Sequence, residues 1–200
     1  MKVVVIGATG TIGKAVVRAL SGRHEVIEAS RSHAAHPVDI TSKDSIQRLL
    51  QAVAPFDALV SVTGAARFKG LTELTDEDFQ FSLSNKLMGQ INLARLALPH
   101  LREKGSITLT SGVLSQEPMK GSAAISLVNA GLEGFARAAA LEAPRGIRVN
   151  VVSPPWVNET LDALGMKGMT GLPADRVAAA YVESVEGRRT GEVLDARKFG

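Results

Sequence analysis

Val3-Val4-Val5-Ile6-Gly7-Ala8-Thr9-Gly10-Thr11-Ile12-Gly13 is the stretch that decides the fold of this chain. The β-branched run suits a strand, and the residues after the glycines follow a helical pattern over 12–21. Strand, glycine-rich turn and helix, in that order, are how a dinucleotide-binding βαβ unit begins. Gly7 allows the tight turn off the strand, Gly10 lets the backbone approach a pyrophosphate, and Gly13 lets the helix pack against the strand. The helix N-terminus then faces the phosphates with free N–H groups and the positive end of its dipole. The competing reading of the same residues is a tight βα turn that holds no ligand.

Outward from this unit, strand and helix patterns alternate to the end of the chain. Strands are predicted over 2–6, 25–29, 57–63, 106–111, 147–152 and 191–195, with a short one near 37–38. Helices are predicted over 12–21, 42–53, 76–103, 123–142 and 173–186. Thr41-Ser42-Lys43-Asp44 and Thr75-Asp76-Glu77-Asp78 carry N-cap signals, and Gly22 and Gly187 close the first and last helices. Alternation throughout predicts the α/β class: a Rossmann-type, doubly wound parallel sheet of about seven strands with helices on both faces. Residues 1–200 read as a single dinucleotide-binding domain, with 154–172, rich in Pro, Gly and Met, as an irregular substrate-side loop.

Composition narrows the function. At 45% apolar residues the chain has enough to build a core, which argues against disorder. The net charge is only +3 with both signs interspersed, so the expectation is no nucleic-acid partner. Cysteine is absent, which excludes disulfides, thiolate catalysis and Cys-based metal sites. His24, His33, His36 and His100 lack metal-ligand spacing, so no metal is expected. No apolar run reaches membrane-spanning length, and Met1-Lys2 leads straight into a strand, so a cytoplasmic protein with no membrane partner is expected.

Several further motifs are similar to those of the short-chain dehydrogenase/reductase family, and the resemblance covers nearly the whole chain. They are the Gly7–Gly13 stretch, Val38-Asp39-Ile40, Asp57-Ala58-Leu59-Val60 before Gly64, Leu98-Pro99, Gly105-Ser106-Ile107 before Ser111, and Ile147-Arg148-Val149-Asn150-Val151-Val152-Ser153-Pro154. The last of these is the most specific. The resemblance implies binding of NAD(P)H and hydride transfer to or from a carbonyl or alcohol carbon of a small-molecule substrate. It places the cofactor against Gly7, Thr9, Gly10, Thr11, Ile12 and Gly13, against Asp39 and Ile40 at the adenine, against Val62, Thr63 and Gly64 at the ribose, and against Pro154 and Val157. Val62-Thr63-Gly64 stands where the family has Asn-Ala-Gly, so the Asn contact falls to backbone. NAD-binding members have an acid at the end of the second strand. Here Ser30, Arg31 and Ser32 stand there, and a guanidinium with hydroxyls suits a 2′-phosphate, so NADP(H) is expected. Arg31 also reads as a solvated turn residue, and Glu28 as an acid slightly earlier in the strand.

The catalytic positions depart from the family. Family enzymes use a Tyr as general acid/base, a Lys four residues later that lowers its pKa, a Ser that holds the carbonyl oxygen, and an Asn in a proton relay. Aligning Ala130-Gly131-Leu132-Glu133-Gly134-Phe135 with the family's helix places Ile125 at the Tyr position and Asn129 at the Lys position. The only tyrosine, Tyr181, lies in the last helix, and Gly112 holds the usual Ser position beside Ser111. Counting back from Gly89 and Leu98-Pro99 places Lys86 at the Asn position, so Lys and Asn are exchanged between two helices facing one cleft. Lys86, Ser111 and Asn129 are therefore the expected catalytic residues, with Lys86 as anion binder or acid. A one-residue shift would instead leave Asn85 in the usual place and Lys86 in solvent. Ser115, Ser126 and Glu117 read mainly as turn or helix residues, and Trp156 as either a pocket wall or loop packing.

Three functions fit this pattern: an oxidoreductase with a non-tyrosine proton donor, a non-catalytic NADP(H)-binding sensor or scaffold, and an isomerase or lyase on the same fold. Family members often assemble through the helices that correspond to 76–103 and 123–142. Ala123, Ala124, Ala130, Gly131 and Gly134 permit close helix approach there, so a homodimer or homotetramer is expected. The Ser30–Ser32 reading has a direct test in cofactor titrations. Arg31→Ala is expected to weaken NADPH binding by about 1–3 kcal/mol more than NADH binding. Equal loss for both would remove Arg31 from the phosphate site.

Overall fold

A computed structural model describes every residue of the chain except His33, Lys167 and Gly200. His33, expected in a solvated loop, therefore lies outside the described residues. The seven strands are β1 (Lys2–Ile6), β2 (Glu25–Ser30), β3 (His36–Pro37), β4 (Phe56–Ser61), β5 (Leu101–Thr110), β6 (Arg148–Ser153) and β7 (Val193–Asp195). They form one sheet in the order β3-β2-β1-β4-β5-β6-β7, and each neighbouring pair is parallel. The helices are α1 (Thr11–Ser21), α2 (Lys43–Val53), α3 (Asp76–Ser82), α4 (Gly89–Ala97), α5 (Ala123–Glu142), α6 (Asn158–Ala163) and α7 (Ala174–Glu186). This is the doubly wound Rossmann arrangement. From β1 the chain winds outward through β2 and β3, then returns to lay β4 on the other side of β1. A crevice opens at the carboxyl ends of β1 and β4, where the winding reverses.

The strand sequences follow from burial on both faces. Val3, Val4 and Val5 are fully buried, so their alternating side chains feed two separate cores. Val4, Ile6, Leu59 and Ile107 pack with Ile46, Leu50, Leu93 and Leu132 from α2, α4 and α5. Val3, Val5, Ala58 and Val60 pack with Val16, Leu20, Val177 and Tyr181 from α1 and α7. Helix starts follow the predicted caps. The Ser42 hydroxyl accepts from the Ser45 N–H at the head of α2, and Thr75 and Asp78 form a reciprocal capping box at α3.

Four expectations need correction. The helix predicted over 76–103 ends at Ala97, because Pro99 has no N–H to continue the ladder, and a single tight turn over Leu98–His100 leads into β5. β5 consequently begins at Leu101 rather than 106, and its register against β4 jumps between Phe56 and Ala58. That extra length is absorbed where Lys104 takes φ 58°. β4 stops at Ser61, which frees Val62 and Thr63 from the sheet. The segment 154–172 is not irregular throughout: it contains α6, and Val157 bridges Leu172 as a short parallel pair.

α1 sits against the turn that precedes it with no space to spare. A Cβ on Gly13 would lie 1.9 Å from the Gly7 carbonyl oxygen. Gly13→Ala is therefore expected to lower stability by about 1–3 kcal/mol in urea denaturation. Gly22→Ala, where a Cβ meets nothing within 4 Å, is expected to stay within about 0.5 kcal/mol of the parent.

Candidate active site

The crevice is built first by backbone. Gly7 adopts φ 87°, and a Cβ there would lie 2.3 Å from the Val62 carbonyl oxygen, so only glycine lets the β1 turn close against the end of β4. Its N–H donates to the Ala29 carbonyl at 2.8 Å, which ties the turn to β2 as well. Gly10 caps α1 without any side-chain hydrogen bond, so no side chain of the cap claims the first-turn N–H groups facing the crevice. The half toward the end of β2 is lined by Gly7, Thr9, Gly10, Ser30, Arg31, Ser32, Ile40, Val62, Thr63 and Gly64, all predicted, together with Val38 and Asn85.

Ser30 is buried and its hydroxyl donates to the Ser32 carbonyl, which fixes the turn that carries Arg31. Arg31 and Ser32 are exposed at the rim. Three of the predicted cofactor residues line neither this half nor the cavity beside it. Thr11 stands exposed at the start of α1. Gly13 lies behind the turn as a packing position. Asp39 Oδ1 accepts from the Thr41 N–H at 2.9 Å and the Thr41 hydroxyl at 2.8 Å. Those bonds, the N–H foremost, hold its carboxyl below the ordinary range, with a smaller contribution from the Arg31 charge.

The other half is a cavity of about 400 Å³ that contains Ile12, Gly64, Lys86, Ser111, Asn129, Pro154 and Val157 from the predicted set. Lys86 lies within a π-helical turn, Leu83–Met88, between α3 and α4. Such turns are uncommon and recur at functional sites. Gly64 seats this turn: a Cβ on it would lie 2.9 Å from Lys86 Cα. Lys86 Nζ donates to the Ser111 carbonyl at 3.0 Å and has no carboxylate partner among the described residues. Desolvation lowers its pKa to about 8, because burial penalises the charged form. Asn85 points elsewhere, donating to the Phe81 carbonyl at 3.0 Å.

Asn129 is buried, with Nδ2 on the Gly112 carbonyl at 3.3 Å. Its Oδ1 has no hydrogen-bond partner among the described residues. A buried acceptor left open beside the crevice is suited to a ligand hydroxyl. Glycine at 112 makes room for this side chain, since a Cβ there would lie 3.0 Å from Asn129 Nδ2. Ile125, one helical turn before Asn129, lines the same cavity.

The Ser111 hydroxyl is turned away from this chemistry. It donates to Glu133 Oε1 at 3.1 Å, and the Ser115 hydroxyl donates to the same oxygen at 2.5 Å. Sequence reasoning missed Glu133 as the anchor of this loop, although its spacing of four from Asn129 puts both on one face of α5. Ser126 donates to the Leu114 carbonyl at 2.6 Å, and Glu117 pairs with Arg197 at the surface. Tyr181 is fully buried with its hydroxyl 2.8 Å from Thr110 Oγ1, and burial pushes its pKa above the ordinary phenol range. Trp156 lines the cavity, edge-to-face with Phe68 at 6.1 Å.

With this geometry in hand, likeness to known proteins is informative. A family model described as enoyl-(acyl carrier protein) reductase matches residues 7–194. An uncharacterized oxidoreductase of Methylorubrum extorquens is 28% identical over 234 residues, spanning 96% of this chain and 94% of that protein. The structure of the protein lin1944 from Listeria innocua superposes with a TM-score of 0.94 at 44% identity, covering 98% of both chains. A small-chain dehydrogenase in complex with NADPH superposes with a TM-score of 0.87 at 26% identity, covering 98% of this chain and 95% of that one. No helix among the described residues is long and apolar enough to cross a membrane.

The Tyr181 hydroxyl bridges β5 and α7 inside a core and does not face the crevice. Tyr181→Phe is expected to cost about 0.5–1.5 kcal/mol in denaturant titration and to leave turnover at the parent value. Lost turnover in a folded Tyr181→Phe variant would contradict this placement.

Proposed function

The chain belongs to the short-chain dehydrogenase/reductase family and is an oxidoreductase, and from that premise we propose that it is NADP(H)-dependent, acts on a small carbonyl or alcohol, and uses Lys86 rather than a tyrosine as proton donor. The observation that carries this reading is Lys86 Nζ, desolvated and unpaired by any carboxylate, in the same cavity as the unpartnered Asn129 Oδ1. Two features of the chain suit the cofactor: the glycine cradle at Gly7 with the uncapped start of α1, and the open acceptor on Asn129. Arg31, Ser30 and Ser32 would hold the 2′-phosphate. Val62, Thr63 and Gly64 would border the ribose, and Ile40 and Asp39, through its second carboxylate oxygen, the adenine. Pro154 and Val157 would border the nicotinamide end, with 154–172 over the substrate side.

When bound, the nicotinamide supplies or accepts the hydride at the substrate carbon. The chain handles the proton. In the reducing direction the Lys86 ammonium gives a proton to the carbonyl oxygen and stabilises negative charge developing there, while the Ser111 carbonyl keeps Nζ in place. Solvent then reprotonates Lys86. In the oxidising direction neutral Lys86 takes the alcohol proton. A phenol near pKa 10 needs help to serve as a base at neutral pH, whereas an amine brought to about 8 by burial does not. Ser111 acts through its carbonyl, because its hydroxyl is committed to Glu133.

A groove between α4 and α5, walled by Leu96, Leu98, Phe135 and Ala139 beside the exposed Leu141, supports assembly into a homodimer or homotetramer through these helices. A monomeric mass by light scattering at micromolar concentration would end that part of the reading.

The chemistry is tested by kinetics. Lys86→Met, which removes charge and keeps length, is expected to lower turnover by about 100-fold or more with NADPH affinity nearly unchanged. The sign of the pH dependence is fixed by the donor. Reduction needs protonated Lys86, so its rate falls as pH rises through about 8, and oxidation rises through the same value. A pH-independent rate across that region, or a fully active Lys86→Met, would exclude Lys86 as donor.

A further inference from the structure

The walls of the Lys86 cavity restrict what its substrate can be. Among the described residues Lys86 is the only charged side chain in the lining, and its neighbours' hydrogen-bonding groups are in part committed, with Asn129 Oδ1 and Trp156 Nε1 left open. The Ser111 hydroxyl is on Glu133, and Asn129 Nδ2 is on Gly112. Most of the remaining lining is apolar, Ala66, Val113, Leu114, Ile125, Pro155 and Trp156 among it, with Thr160 beside them. Much of this wall offers a hydroxyl no partner, so a polyol gains less contact here than a ring does.

The mouth is aromatic. Phe68 meets Trp156 edge-to-face at an interplanar angle of 78°, and the Phe68 ring packs over Gly121, where a Cβ would lie 3.1 Å from a ring carbon. The loop that carries Phe68 is fastened by the Lys69 N–H donating to the Gly121 carbonyl at 3.0 Å. Phe68 nevertheless remains about 40% exposed, an apolar rim that a bound ligand would extend over. A cavity of about 400 Å³ that must also take a nicotinamide leaves room for a compact body only.

We infer that the substrate is a flat carbonyl compound of one or two rings, held against Trp156, Leu114 and Ile125 with its oxygen toward Lys86. This rests on the reading of the cavity as the substrate side of an NADP(H) site. Phe68 and Trp156 act as the specificity-determining pair.

The chain contains a single tryptophan, so its fluorescence reports on this cavity alone. The test titrates the full chain with 2-tetralone, with and without NADP⁺, and compares D-glyceraldehyde and acetoacetyl-CoA. NADPH binding is measured separately by thermal shift. The expected result is saturable quenching of Trp156 by 2-tetralone and none by the other two compounds at the same concentration. Phe68→Ala, which keeps the reporter, is expected to weaken 2-tetralone by about threefold to tenfold and to leave the NADPH thermal shift unchanged. Saturable quenching without any NADPH shift would uphold the aromatic site and overturn only the cofactor reading. An NADPH shift without 2-tetralone quenching, or turnover of acetoacetyl-CoA or D-glyceraldehyde in preference to 2-tetralone, would overturn the substrate class and leave the cofactor reading standing. Phe68→Ala binding 2-tetralone as tightly as the parent would remove the aromatic pair from specificity.

Discussion

Everything in this molecule that bears on function depends on how closely the turn after β1 approaches the end of β4. The Gly7 α-carbon faces the Val62 carbonyl at a separation that admits no side chain, and Gly13 faces the Gly7 carbonyl even more tightly. These two contacts pull α1 down onto the sheet at the point where the winding reverses. They leave the start of α1 facing open space, with backbone N–H groups as its lining. Because β4 ends at Ser61, the next residues turn outward and form the opposite wall. Gly64, three residues past the strand, then seats the π-helical turn that carries Lys86. A single steric chain thus runs from the first glycine of the sequence to Lys86 in the neighbouring cavity.

At that end the governing quantity is desolvation. An ammonium held by one backbone carbonyl and no carboxylate is held less firmly in its charged form than one in water, and its pKa falls to about 8. On the proposed reading, this lets Lys86 give and take a proton near neutrality without an auxiliary group. The loop that presents the Ser111 carbonyl is anchored from behind by Glu133, which collects two serine hydroxyls. The carboxylate and the ammonium therefore serve one loop from opposite sides, and only the ammonium shares the cavity with Asn129 Oδ1.

Legibility in the sequence tracked how local each determinant is. The β1–α1 unit could be read because its signal lies within eleven residues, in which a strand gives way to glycines and then to helical spacing. The seven-stranded parallel sheet followed from alternation. Pro99 marked the end of a helix that apolar periodicity alone extended to 103, and the periodicity was given too much weight against a missing donor. α6 was hidden among Pro, Gly and Met residues, where six helical residues carry too little pattern to detect. The neighbourhood of Lys86 was visible only by counting back from Gly89 and Leu98-Pro99. Its partner, a backbone carbonyl twenty-five positions away, has no sequence signature at all. Glu133 escaped for the same reason, since its two serines are brought to it by the turn after β5. The Ser111 hydroxyl looked catalytic in sequence because side-chain direction cannot be read from residue type.

The central claim is that Lys86, with Asn129 beside it, faces the reacting carbon. The most direct measurement is a crystal structure of the chain with NADP⁺ and a bound alcohol or ketone. The account predicts Lys86 Nζ within about 3 Å of the ligand oxygen and Asn129 Oδ1 accepting from a ribose hydroxyl. A ligand oxygen held by another side chain, with Lys86 still on the Ser111 carbonyl and out of reach, would contradict it.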